Sequence, residues 1–445
     1  MIEKPPKWRD RTDIEFIKIA TQTSGPIYEL LKKANKEYVY WDKFKYYPFP
    51  ENIPPEDAWA ALKFTRLSDL TASPLKSIEG DDFSYKLTAN IQQGLSYVDT
   101  QCAGNLQGGD NLINISKREK SRLILSGLSE EAIASSQIEG ASTSRKVAKN
   151  MIVTKRQPKT KDELMIMNNY LVMEALEDWK DLELSEKMLL DLQSKITSGT
   201  LDDAEDTGRF RKDEDEIRVF DRKTGEVIFT PPLEKMMRKE LARLIEYANT
   251  DKGDFVHPVT KACILHFWIA YLHPFVDGNG RTARAIFYWF LLKKNYWLFK
   301  YLSVSRVIKK SRKKYDRSFL YTEHDENDLT YFLEFQIKVI AAAIDDFLEH
   351  LERKRLAAEE IKKLVALHVN YNERQLELIN KIHERGSIEV DISSYQIKNT
   401  VAYETARSDL QDLVSDGILQ QQKVGKKFVF RATREDVKKL FKGMQ

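Results

Sequence analysis

The chain reads as a mainly α-helical protein that ends in a small helix-and-hairpin domain. Three observations support this. Apolar residues recur at helical spacing through most of the 445 residues, as in Ile264, Leu265, Trp268, Ile269 and Leu272. Strand-type alternation is confined to short segments flanking turn residues: Ile217 and Val219 precede Asp221-Arg222-Lys223-Thr224-Gly225, and Val227 and Phe229 follow it. From Glu373 onward, short helices give way to a second hairpin. The composition, 42% hydrophobic and 31% charged, is that of a water-exposed globular protein. A net charge of +3 gives no case for nucleic acid or membrane as the main partner. Cys102 and Cys263 are too few and too far apart for a disulfide framework, which fits a reducing cytoplasm. Met1 to Lys7 lacks the apolar core of a secretion signal. The longest apolar run, Ala285 to Leu292, is too short to span a bilayer.

In chain order, residues 1 to about 100 read as helices with aromatic-rich loops. Pro26 opens one helix, Pro55 another, and Phe83 to Val98 forms a third. Tyr38 to Trp41 and Phe44 to Pro50 form an aromatic, proline-punctuated loop suited to packing. Gly104 to Asn114 is a Gly/Asn-rich link. Ser121 to Gly140 has a helical pattern in which Ser135 and Glu139, four apart, share one face, and Gly140 caps the end. Thr160 to Trp179 and Leu184 to Ser198 give two more helices. Gly208-Arg209-Phe210-Arg211 leads into the first hairpin, which Thr230-Pro231-Pro232 closes. Leu233 to Ala248 is helical again.

The next stretch carries the chemistry: His273-Pro274-Phe275-Val276-Asp277-Gly278-Asn279-Gly280-Arg281-Thr282-Ala283-Arg284. Pro274 cannot continue the preceding helix and pushes His273 out of the α region. The histidine therefore stands at a helix end. Gly278-Asn279-Gly280 forms a turn that allows close backbone approach. Arg281 then opens a second helix. Backbone N–H groups at a helix start, behind a glycine-rich turn, make an anion site. Arg281 and Arg284, three apart, add two guanidiniums on one side of the first turn. Such a pair suits a polyphosphate. Asp277 is a carboxylate placed as a Mg²⁺ ion bridging phosphates needs. Phe275 reads as a core anchor. His266, seven residues before His273, reads as a packed core histidine, since no metal-ligand spacing accompanies it.

This constellation resembles the signature of the Fic family, H-P-F-x-D/E-G-N-G-R-x-x-R, and meets every fixed position. The resemblance implies a helical Fic core with a β-hairpin flap. It implies transfer of AMP from ATP to a Ser, Thr or Tyr hydroxyl of a target protein. His273 is then the general base and Asp277 the Mg²⁺ ligand. Gly278, Asn279, Gly280 and Arg281 grip phosphates, and Arg284 holds the terminal one. Ser135-Ser136-Gln137-Ile138-Glu139-Gly140 resembles the family's inhibitory motif, S/T-x-x-x-E-G/N. Glu139 would then pair with Arg284 and take the place of the γ-phosphate. The flap would hold the target segment by strand pairing. Ser311 to Tyr315 resembles a stretch near the adenine pocket of relatives, which makes Tyr315 a nucleotide contact.

Leu329 to about Val369 reads as one or two long helices, with a charge-rich linker candidate at His350 to Lys363. The remainder resembles a winged helix-turn-helix: helices around Leu376 to Ile382, near Tyr395 and from Ala402 to Val414 precede a hairpin around Val424-Gly425. The candidate recognition helix sets Glu404, Asp409 and Asp412 against Arg407 alone, so protein contact or dimerisation is favoured over DNA. The expected organisation is an N-terminal helical region (1–110), a Fic domain (111–349) with its inhibitory helix (about 118–140), a linker (350–371) and the winged-helix-like domain (372–445). The expected partner is a hydroxyl-bearing target protein. Self-modification, a homodimer and DNA are lesser alternatives. The rival activities are removal of AMP, transfer of another phosphate-containing group, and DNA-binding regulation.

Overall fold

The computed structural model describes residues 2–11, 13–103, 117–220, 224–251, 253–366, 371–424, 427–433 and 435. The Gly/Asn-rich link at 104–114 and the turn at 221–223 lie outside them, as does Gly425 of the second hairpin. The chain divides into two compact units, Met1–Asp345 and Asp346–Gln445.

At the centre of the first unit stand two consecutive helices, Pro258–Leu272 and Asn279–Lys293, packed against each other. Nearly every residue of both is buried, including Trp268, Phe287 and Trp289. A helix apolar on all sides has to lie in a core. Around this pair pack the helices Lys117–Ile138, Lys161–Trp179, Glu186–Thr197 and Glu234–Asn249. Thr160 and Ser185 cap the second and third of these by accepting a hydrogen bond from a backbone N–H of the first turn. The flap is a short antiparallel pair, Val219–Phe220 with Val227–Phe229. Among the described residues, no helix is long and apolar enough to cross a membrane.

One expectation for the N-terminal region needs correction. Residues 83–98 are not one helix. Asp82–Tyr85 is a strand paired with Thr71–Lys76, and the helix starts at Ala89. The cause is local: Phe83 and Tyr85 alternate inward, and Thr88 caps the helix by accepting from the Ile91 N–H. Residues of the N-terminal region are tied to the rest of the first unit. A buried polar network joins them to the segment 325–331. Lys63 Nζ lies 3.0 Å from Asp325, and the Tyr38 hydroxyl donates to Asp328 at 2.6 Å. Arg66 donates to the Tyr331 hydroxyl at 3.0 Å and to the Ala34 and Val39 carbonyls. The Tyr331 hydroxyl donates onward to Asp325 at 2.7 Å. A buried charge is tolerated only when it is paired and hydrogen-bonded, so these groups hold the region in place together. Tyr331→Phe leaves an Arg66 donor and an Asp325 acceptor without this hydroxyl. It should lower stability by about 1–3 kcal/mol, measured by chemical denaturation.

Helix Thr330–Ala366 is continuous across most of the expected linker. In the second unit, helices Glu373–Arg385, Ile392–Asn399 and Tyr403–Ser415 surround a core that includes Ile382, Tyr395, Leu410 and Phe430. Its sheet has three strands, Ser387–Asp391, Lys427–Thr433 and Gln420–Val424, with Lys427–Thr433 in the middle. The first of these, with Ile388 and Val390 against the core, was missed because the run is short and carries charged Glu389 and Asp391 between the apolar residues.

Candidate active site

The site is built where Pro258–Leu272 ends and Asn279–Lys293 begins. Pro274 stops the first helix, and His273 takes the left-handed conformation, φ 48°. This costs a non-glycine residue about 1–2 kcal/mol. His273 Nδ1 lies 3.3 Å from the Ala270 carbonyl. Only an N–H can bond there, so the proton belongs on Nδ1 and the Nε2 lone pair is left for chemistry. Burial lowers the imidazole's pKa. The Ala270 carbonyl and the nearby carboxylates Glu139 and Asp277 oppose that shift, and the Arg211 charge adds to it.

The turn that follows is braced from several sides. Both ends of the buried Asn279 amide bind the Phe275 backbone: Oδ1 accepts its N–H at 2.9 Å and Nδ2 donates to its carbonyl at 2.8 Å. Asn279 therefore shapes the loop with its side chain. Phe275 is fully buried and stacks on Phe210 at 5.4 Å. Gly278 has φ 88°, open to glycine at little cost, and Thr197 and Ile196 press on it. Gln193 Nε2 donates to the Asp277 carbonyl at 3.3 Å.

The two arginines are buried. Arg281 donates to the Ile196 carbonyl at 3.1 Å and to Asp277 Oδ2 at 2.9 Å. Arg284 Nε donates to Ser135 Oγ at 2.8 Å. Its Nη2 donates to the Ser135 carbonyl at 3.1 Å and to Glu139 Oε1 at 2.9 Å. Arg281 Nε and Arg284 Nη1 are buried without a hydrogen-bond partner. Unsatisfied guanidinium N–H groups at a helix start are what a phosphate oxygen would complete. Burial works against ionising Glu139, yet the Arg284 charge prevails and its carboxyl stays below the usual range.

Glu139 sits over the phosphate turn. A Cβ built on Gly280 would overlap its carboxylate and lie 3.2 Å from Arg284 Nη1. The residue at 280 must be small because the carboxylate occupies the hollow above it. The Ser135 helix, Lys117–Ile138, is itself anchored: buried Glu131 accepts from the Tyr288 hydroxyl and the Ser305 N–H, both at 2.9 Å. Asn169 donates to the Ala132 carbonyl at 3.2 Å.

The structure thus brings together His273, Asp277, Gly278, Asn279, Gly280, Arg281, Arg284, Ser135 and Glu139. Tyr315 is placed differently. It is 6% exposed, with its hydroxyl 3.0 Å from His266 Nε2 and its ring edge-on to Phe319. The ring also lies against Phe335, with centroids 6.0 Å apart. His266 is the buried core histidine expected, with burial and the Arg284 charge lowering its pKa to about 3. A cleft of about 470 Å³, lined by Glu139, Asp162, Asp202, Asp206, Val276 and Asp277 among others, opens beside the turn.

Asp277 has the chemistry for a magnesium ligand. Oδ1 accepts the Gly278 N–H at 2.6 Å, Oδ2 accepts from Arg281, and the side chain is 53% exposed. Mg²⁺ needs few protein carboxylates when substrate phosphates supply the rest. Among the described residues no group of three His, Cys, Asp or Glu could hold a metal by itself.

Residues 183–291 match the family model described as Fic/DOC family. A protein adenylyltransferase Fic from Nematostella vectensis is 24% identical over 138 residues, covering 31% of this chain and 30% of that protein. A protein adenylyltransferase Fic from Drosophila willistoni is 30% identical over 115 residues, 26% of this chain and 21% of that protein. The chain therefore spans less than a third of the length of these curated relatives. A solved structure of Fic-1 from C. elegans superposes with a TM-score of 0.51 at 17% identity, covering 73% of this chain and 84% of that one. At that identity the likeness speaks for the fold.

Proposed function

Because the chain carries a Fic/DOC-family domain at residues 183–291, we propose that it is a protein adenylyltransferase restrained by its own Ser135 helix. The observation that supports this most is His273, with Nδ1 at 3.3 Å from the Ala270 carbonyl, standing before a phosphate turn flanked by buried Arg281 and Arg284. The target hydroxyl gives its proton to His273 Nε2 as its oxygen bonds the α-phosphorus of ATP. The bond from that phosphorus to the bridging oxygen breaks, and pyrophosphate leaves. Transfer of this kind depends mainly on positioning and charge neutralisation. The N–H groups of the motif turn, with Arg281 and Arg284, supply both. Asp277 would hold Mg²⁺, which would supply further charge neutralisation when bound. The flap, Val219–Phe220 with Val227–Phe229, offers backbone groups to the target segment.

Restraint follows from Arg284. Its Nη2 is given to Glu139, so the terminal phosphate has to compete with a carboxylate for the same guanidinium. Arg284→Ala should weaken ATP binding by about 10- to 100-fold, the scale of a lost charge-assisted contact. Calorimetric titration with ATP checks this, and undiminished affinity would remove Arg284 from the phosphate site. Hydrolytic removal of AMP is the second reading, favoured by one feature: a carboxylate, Glu139, stands over the turn at Gly280.

DNA regulation has less support. Asp409 in the candidate recognition helix is held by Arg374 at 2.7 Å and by Asn372. On the wing, Arg431 pairs with Glu389 at 2.7 Å. The protein should therefore give no shift of duplex DNA at low salt, where phosphate contacts are strongest. A salt-sensitive shift would revive that reading.

A further inference from the structure

The left-handed backbone at His273 needs a cause, since a non-glycine residue keeps such a conformation only where its surroundings fix it. The last carbonyls of a helix also lack intrahelical donors. One side chain meets both needs. Arg211 Nε donates to the His273 carbonyl at 2.7 Å, and Nη2 donates to the Leu272 carbonyl at 3.3 Å. The backbone N–H of Arg211 donates to the Pro274 carbonyl at 2.9 Å. Three consecutive carbonyls around the histidine are thus held by one residue, itself 4% exposed. Nη2 also donates to the carbonyl of Pro232, just beyond the second flap strand. Adjacent Phe210 stacks on Phe275, and the Arg238 guanidinium lies 4.4 Å from the Phe210 ring centroid.

We infer that Arg211 is a positioning residue that locks the backbone of His273 and couples it to the base of the flap. The planar guanidinium fork reaches the Leu272, His273 and Pro232 carbonyls at once, and lysine has no such fork. A cation at a helix C-terminus also complements the helix dipole. The charged groups facing His273 are Arg211 from the segment before the flap, Glu139 from the end of the Ser135 helix and Asp277 from the motif loop. Of these only Arg211 disfavours the imidazolium. The catalytic consequence rests on the reading of His273 as the base; the structural claim does not.

The test uses the full-length chain with ¹⁵N-labelled histidine. The His273 imidazole is titrated by NMR in the wild type, Arg211→Gln and Arg211→Lys, with His273→Ala assigning the signal. The Gln variant should titrate at higher pH and lose the single-tautomer spectrum. The Lys variant should keep the midpoint, because the charge stays, and still lose the tautomer preference. In a Glu139→Gly background, both variants should transfer label about 10²-fold more slowly, the scale expected of a misplaced reacting group, with ATP affinity within about twofold. A wild-type titration and tautomer in the Gln variant would refute the inference, as would an undiminished rate in a folded Lys variant. Melting curves identify a variant that fails to fold, and the Lys variant then decides. If the Glu139→Gly parent transfers nothing, the proposed activity falls, and the His273 spectra still test the positioning role.

Discussion

His273→Ala should cut AMP transfer by about 10²- to 10⁴-fold, the usual contribution of a positioned general base, while ATP affinity stays within about twofold. The separation follows from the division of labour in the site. The groups that would hold phosphates lie on the turn and first helical turn from Gly278 to Arg284, and those two arginines bind Asp277, Ile196, Ser135 and Glu139, none of them through His273. Removing the imidazole takes away a proton acceptor and leaves that scaffold standing. The measurement is the initial rate of label incorporation in a Glu139→Gly background, beside calorimetric ATP binding. A rate within tenfold of the parent would remove His273 from the role of base. The pH profile gives a second check. The base must be neutral, and burial lowers the His273 pKa below its ordinary 6.5. Activity should therefore persist below the pH at which a free histidine protonates, and fall only as pH drops through the lowered value.

Glu139→Gly should raise transfer, by about 5- to 150-fold if the carboxylate and the terminal phosphate compete with a typical coupling energy. Three contacts are altered at once. Arg284 Nη2 loses its 2.9 Å ion pair, the space above Gly280 opens, and the negative charge facing the phosphates disappears. Arg284 still has Ser135, whose hydroxyl and carbonyl accept from it, so the guanidinium stays oriented. Glu139→Gln separates the effects, because it keeps the volume and removes the charge. An intermediate gain is expected, read as initial rates and ATP affinity on the same preparations.

The catalytic stretch was legible in sequence because its constraints are local. A proline after the histidine, glycines in the turn and arginines three apart each act within one or two turns of helix. The Ser135 and Glu139 face was legible for the same reason. Arg211 was not, since its role depends on carbonyls some sixty residues away, and a lone arginine before a hairpin carries no periodic signal. That the Asn279 amide also closes the loop on Phe275 was not legible from its place in the motif. The packing of Tyr315 on His266 and Phe319 was not legible, because its partners lie in other helices or a turn away. The attachment of residues 1–67 to the segment 325–331 was also hidden, because Lys63, Arg66, Asp325 and Asp328 look in sequence like ordinary surface charges.

The most direct test is to incubate wild type and Glu139→Gly with α-³²P-labelled ATP and Mg²⁺, with and without candidate target proteins, and to follow intact masses. Label appearing on protein as adenylyl adducts, faster in the variant, is the expected result. No label in either form, with ATP bound normally, would contradict the assigned transfer. A preparation that already carries AMP and slowly loses it in the wild type would establish the hydrolytic direction instead.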